Sequence, residues 1–197
     1  MSAEHAAARP FHHELIIAGF GGQGVLKMGQ TLAEAAMREG REVVWTPAYG
    51  PEMRGGPAFC TVIVSAEPIG APVVAQADTA IIMDQPSLAK YQPMVREGGS
   101  IIVNSSLVDP ALVRTDRRCL AINANHIAEE IGNAQVVNMV MLGAFLELTH
   151  LAKPESVVQA LREALPERRH YLIPLNEQAL AAGAEVVRVS SCGCERA

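Results

Sequence analysis

The run Leu15-Ile16-Ile17-Ala18-Gly19-Phe20-Gly21-Gly22-Gln23-Gly24 is apolar at first, breaks into glycines and then opens a helix-patterned segment. A short buried strand of this kind limits the chain to α/β folds, in which the turn after the strand presents backbone N–H groups at a helix start. Gly19, Gly21 and Gly24 satisfy G-x-G-x-x-G, with Gly22 as an extra glycine. Two uses fit the same residues. Gly19, Gly21, Gly22, Gln23 and Gly24 can cradle the phosphates of a cofactor, or the glycines can serve only to pack a helix tightly onto a sheet.

Strand and helix patterns alternate through the first two thirds of the 197 residues. After Leu15–Ala18, a 3.6-residue apolar period predicts a helix from about Gln23 to Glu39, with Gly40 at the position of a left-handed cap. Further strands are expected at Glu42–Thr46, Phe59–Ser65, Thr79–Met83, Ser100–Val103 and Cys119–Ile122. A short helical piece is expected at Val73–Ala77, a helix from Pro86 to about Val95, and a turn at Gly98-Gly99. Continuous apolar strands separated by helices imply a Rossmann-like, mostly parallel sheet covered on both faces. The remaining pattern is helical: Ile127–Ile131, Ala134–His150, Glu155–Leu165 and roughly Leu175–Arg188. The stretch Ala134–His150 is apolar on nearly all sides, so it is buried in its own fold or against a partner, and it favours obligate association. One domain over residues 13–188 is expected, with flexible ends at 1–12 and 190–197.

Composition removes several classes of function. A net charge of −5 leaves no basic footprint for nucleic acid, and 4% aromatic residues give little to stack bases on. No apolar run is long enough to cross a bilayer, and Met1–His13 has no signal-like apolar core, so a cytoplasmic protein is expected. Cys60 and Cys119 read as small core residues, while Cys192 and Cys194 lack the spacing of a paired metal or redox motif. The histidines are scattered without the i, i+4 spacing of a zinc site, so no metal site is expected.

A nicotinamide site needs an acid at the end of the second strand, about 20 residues past the glycines, to grip the ribose. Here that strand ends in Thr46-Pro47, and Glu42 lies at its wrong end. A second unusual element follows: Tyr49-Gly50-Pro51-Glu52-Met53-Arg54-Gly55-Gly56-Pro57. It is expected at the carboxyl edge of the sheet, where open α/β folds take ligands, and Arg54 suits a carboxylate or phosphate. The plainer alternative is an exposed loop whose Glu52–Arg54 pair is worth about 0–1 kcal/mol. Asp84, Asn104, Ser105 and Ser106 close strands and read first as turn formers and caps, with Lys27 as an ordinary helix-surface lysine. Neither a G-x-S-x-G elbow nor a G-x-x-x-x-G-K-[ST] loop occurs, and no residue is assigned a catalytic role.

Together, Gly19–Gly24, Tyr49–Gly56, the turn Glu67–Pro72 and Asn138-Met139-Val140-Met141-Leu142-Gly143 resemble the gamma subunit of 2-oxoacid:ferredoxin oxidoreductases over roughly residues 13–185. The form of the Tyr49–Gly56 loop resembles the 2-oxoglutarate and branched-chain types. The resemblance implies one part of a larger enzyme that converts a 2-oxoacid, coenzyme A and oxidised ferredoxin to acyl-CoA, carbon dioxide and reduced ferredoxin. It implies thiamine diphosphate with Mg²⁺ on alpha and beta partners, and iron–sulfur clusters on other chains such as a ferredoxin-like delta subunit. No cofactor is then expected on this chain alone. Tyr49, Glu52, Arg54, Gly55 and Gly56 would face the partners or the channel for substrate and coenzyme A. A free-standing nucleotide or coenzyme A binding module is the rival expectation.

Overall fold

The computed structural model describes residues 11–49 and 56–193. The first strand, β1 (His12–Phe20), leads through the glycine turn into α1 (Val25–Arg38), and then come β2 (Glu42–Tyr49) and β3 (Pro57–Ser65). β4 (Ala77–Ile82), α2 (Gln85–Tyr91), β5 (Val95–Asn104) and β6 (Arg118–Ile122) complete one sheet of order β2-β3-β1-β4-β5-β6. Four helices follow: α3 (Ala124–Ile131), α4 (Val137–Thr149), α5 (Pro154–Ala164) and α6 (Ile173–Gly193). All six expected strands are present. β1 begins at His12 and α6 runs to Gly193, so both reach into the segments expected as flexible ends.

β1, β4, β5 and β6 are parallel neighbours, whereas β3 is antiparallel to both β1 and β2. The sheet is therefore mixed: five strands run one way and β3 runs against them. Seven residues separate β2 from β3, which is enough for a hairpin and too few for a parallel crossover. No helix forms over Val73–Ala77; residues 73–76 are irregular, and Val74 is buried on the sheet. The expected turn at Gly98-Gly99 lies inside β5, at a register irregularity opposite Ala77 and Thr79.

Alternating side chains put Leu15, Ile17, Cys60, Val62, Ile81 and Ile102 on one face and Ile16, Ala18, Ile63, Ala80, Ile82 and Ile101 on the other. The first face carries α1 and the C-terminal helices. The second carries only α2 and connecting segments that contribute Val74, Val108 and Val113. On α4 every residue from Asn138 to Leu146 is buried. Its apolar surface is thus consumed within the chain, which corrects its use as a sign of association. Tight crossing with α6 makes this possible: a Cβ on Gly143 would lie 2.7 Å from the backbone carbon of Leu180, and one on Gly183 would lie 2.8 Å from that of Val140.

Candidate functional site

Because β2 runs in the same direction as β1, the ends of both strands emerge on one sheet edge. The glycine turn after β1 and Gly56, which precedes β3, become neighbours there. Gly21 N–H donates to the Gly56 carbonyl at 2.8 Å and ties the turn to the returning strand β3. Tyr49 is the last residue of β2. Glu52, Arg54 and Gly55, with the rest of 50–55, lie outside the described residues.

A cleft of about 500 Å³ opens between the turn, the first turn of α1 and the start of β3. Gly21, Gly22, Gly24, Lys27 and Gly56 line it, and Lys27 is its only charged residue among those described. Gly22 (φ 108°) and Gly24 (φ 75°) hold left-side backbone conformations that favour glycine. Gly24 caps α1 with no side-chain hydrogen bond, and no acid stands in the first helical turn. The N–H groups of Gly22 and Gly24 have no acceptor among the described residues. With the orphan donors of the first turn of α1, they give this edge positive polarity.

Gly19 and Gln23 do different work from the other turn residues. Gln23 Oε1 accepts from Phe20 N–H at 2.9 Å, while its Nε2 donates to the Met83 carbonyl at 3.0 Å. That amide fills the gap between the ends of β1 and β4, where the strand order changes direction and where an open α/β sheet takes its ligand. Gly19 is buried beneath it, and a Cβ there would overlap Gln23 Oε1 and lie 2.7 Å from Met83 Cβ. Glu42 stands at the start of β2, on the opposite sheet edge from the turn.

Sequence reasoning gave Asn138 no role, although it is the only polar residue in the buried run of α4. Its Nδ2 donates to the Gly24 carbonyl at 3.5 Å. Asp84 caps α2 by accepting from Ser87 N–H at 3.0 Å. Asn104, Ser106, Asn123 and Asn125 bond to one another where β5 and β6 end. These groups are spent on turns and caps.

A larger groove, about 630 Å³, lies between α4, α5 and α6 at the His150 end of α4. Its charged rim is partly self-neutralising, since Arg188 forms a two-point pair with Glu147 at 2.9 and 2.8 Å. We regard the smaller cleft as the site, because the residues on either side of the Gly21–Gly56 hydrogen bond line it. Among the described residues no group of three or more His, Cys, Asp and Glu is placed to hold a metal ion. Cys60 on β3 and Cys119 on β6 stand near opposite edges of the sheet and do not share a cluster; Cys60 is buried, which pushes its thiol up to about 12, whereas Cys119 is exposed and not the core residue expected. No described helix is long and apolar enough to cross a membrane.

Residues 14–186 match the family Pyruvate ferredoxin/flavodoxin oxidoreductase. Ketoisovalerate oxidoreductase subunit VorA of Methanothermobacter marburgensis is 41% identical over 174 residues, 87% of this chain, and this chain spans only 36% of that protein's length. The 2-oxoglutarate synthase subunit KorC of Methanocaldococcus jannaschii is 37% identical over 157 residues, 78% of this chain and 84% of its own. The solved keto/oxoacid ferredoxin oxidoreductase gamma subunit of Geobacter sulfurreducens superposes with a TM-score of 0.74 at 30% identity, covering 90% of this chain and 99% of that one. The chain belongs to the pyruvate ferredoxin/flavodoxin oxidoreductase family, as a gamma-subunit-type member.

Proposed function

We propose that this chain is the gamma component of a multi-subunit 2-oxoacid:ferredoxin oxidoreductase acting on 2-oxoglutarate or a similar 2-oxoacid. That enzyme decarboxylates the 2-oxoacid, transfers the acyl group to coenzyme A and passes two electrons to ferredoxin. Thiamine diphosphate with Mg²⁺ sits on alpha and beta partners and supplies the carbon chemistry, and clusters on other chains, such as a ferredoxin-like delta subunit, carry the electrons. The gamma chain seals against these partners in the cytoplasm and forms one wall of the coenzyme A channel. The observation that carries this reading is the junction of Gly21 with Gly56, which sets two distant glycine-rich segments around one cleft of backbone donors. In it Gly21, Gly22, Gly24 and Gly56 form the wall, Gly19 and Gln23 hold its shape, and Arg54 meets an anionic group of coenzyme A. Tyr49, Glu52 and Gly55 belong to the same loop.

Arg54→Ala in the purified complex tests the channel role. A lost charge-assisted hydrogen bond raises the coenzyme A KM about tenfold or more, with a smaller effect on the 2-oxoacid KM. An unchanged coenzyme A KM removes the channel role. A chain that stays monomeric when mixed with its alpha and beta partners supports the free-standing binding module instead.

A further inference from the structure

Asn138 sits in the first turn of α4 at 7% exposure, alone among apolar residues, and its Oδ1 has no hydrogen-bond partner among the described residues. A buried unsatisfied amide is destabilising, so a leucine of nearly the same shape would serve α4 better. What the amide does touch is the cap of α1. Its Nδ2 donates to the Gly24 carbonyl, an oxygen that already accepts Met28 N–H at 2.9 Å. It also packs so close that a Cβ on Gly24 would lie 2.6 Å from Nδ2 and 3.2 Å from Asn138 Cβ. The left-handed Gly24 therefore rests directly on Asn138. Glycine has other accessible conformations, and a change of φ or ψ at Gly24 re-aims the backbone groups of the turn beside it.

We propose that Asn138 is a positioning residue: acting through Gly24, it fixes the direction of the backbone donors that the glycine turn presents to the cleft. The proposal rests on the reading that this cleft serves coenzyme A, and it predicts a conflict between stability and function at one position. Asn138→Leu leaves the melting temperature of the full chain unchanged or raises it. Exchange of the hydrogen-bonded Gly21 and Gln23 amides accelerates about tenfold, because local opening of the turn no longer breaks the hydrogen bond from Asn138 to Gly24. In the complex the coenzyme A KM rises about fivefold or more while kcat stays within about twofold. A destabilised variant with unchanged exchange and unchanged KM makes Asn138 a packing residue only and overturns the proposal, as does a variant with no change in any measure. If Asn138→Leu does not fold, Asn138→Ala, which adds no volume, must give the same exchange and KM changes. A coenzyme A KM unmoved by both Arg54→Ala and Asn138→Leu defeats the cleft reading itself, and exchange in the turn then decides for or against Asn138 alone.

Discussion

The α4–α6 crossing offers the sharpest test of the fold that holds the site. A Cβ at residue 183 would lie 2.8 Å from the Val140 backbone carbon and 3.0 Å from Ala144 N. Ordinary carbon contacts are about 3.5–4.0 Å, and backbone atoms inside a helix cannot rotate away, so Gly183→Ala must push the helices apart by about 1 Å. A gap of that size forfeits roughly a quarter to a half of each dispersion contact across the seam, where Val140, Ala144, Leu180 and Ala184 are all buried. Overpacking costs about 1–3 kcal/mol, and a clash with backbone belongs at the upper end or beyond. The better helix propensity of alanine returns about 1 kcal/mol. The net loss is about 2 kcal/mol, which for a chain of this length lowers the melting temperature by about 4–8 °C. Gly143→Ala, pressing on Leu180 from the other side, behaves alike. The double variant loses less than the sum, because the first displacement makes room for the second methyl group. Gly70→Ala, with no atom within 4 Å of its added carbon, is the neutral control. Thermal unfolding followed by circular dichroism reads all four. A Gly183→Ala melting temperature at or above that of the unaltered chain refutes the close approach.

Other expectations are as direct. Gln23→Ala removes two hydrogen bonds that join the ends of β1 and β4, at a cost of about 1–3 kcal/mol and about 3–9 °C in melting temperature; no loss means the amide is not the staple described. His13 packs its ring edge-on to Phe145 at 5.8 Å; burial lowers its pKa, Asp78 opposes that shift, and Arg96 and His12 add to it. Its folded pKa therefore lies below the usual 6.5, so its contribution is complete above that value and is lost as pH falls through the folded pKa. His13→Gln should flatten the fall of melting temperature below that pH, and an unaltered pH slope contradicts the assignment. Native iodoacetamide labelling at pH 8, read by peptide mapping, should modify Cys119 and spare Cys60, whose thiol is buried and pushed up to about 12. Labelling of Cys60 at a comparable rate contradicts its burial.

The strands were legible because a sheet covered on two faces needs continuous apolar runs, and Leu15–Ala18, Phe59–Ser65 and Thr79–Met83 supply them. The direction of β3 was not read, because strand composition carries no direction, and the signal for it lay in the seven-residue connection before it. Val73–Ala77 misled because a short apolar run suits a helix or an irregular segment equally, and tertiary burial of Val74 decided the outcome. α4 was no guide to association, since an all-round apolar helix looks the same whether its cover comes from α6 or from another chain. At the site, the two glycine-rich segments were visible singly, and their meeting was not, because it depends on strand order. Gln23 and Asn138 act through backbone carbonyls of Met83 and Gly24, which have no signature in sequence.

The glycine spacing of a dinucleotide fold thus meets here a geometry that refuses the dinucleotide, and two features account for it. Gln23 fills the gap between β1 and β4 where the pyrophosphate would sit, so the same turn cannot serve both. The hairpin then inserts β3 between β1 and β2, which moves the end of β2 about 10 Å from β1, two strand spacings instead of one. An acid placed at the end of β2 would no longer reach a ribose held on the turn, so the lack of one there follows from topology. What the insertion supplies in exchange is the start of β3, tied to the same turn by the hydrogen bond from Gly21 to Gly56. The donors left free by Gln23 then lie in a cleft that Gly56, Pro57 and Ala58 line on its other side. One strand added to a βαβ unit thus sets the free donors at the seam between α1 and β3, beside the sheet's switch point and not within it.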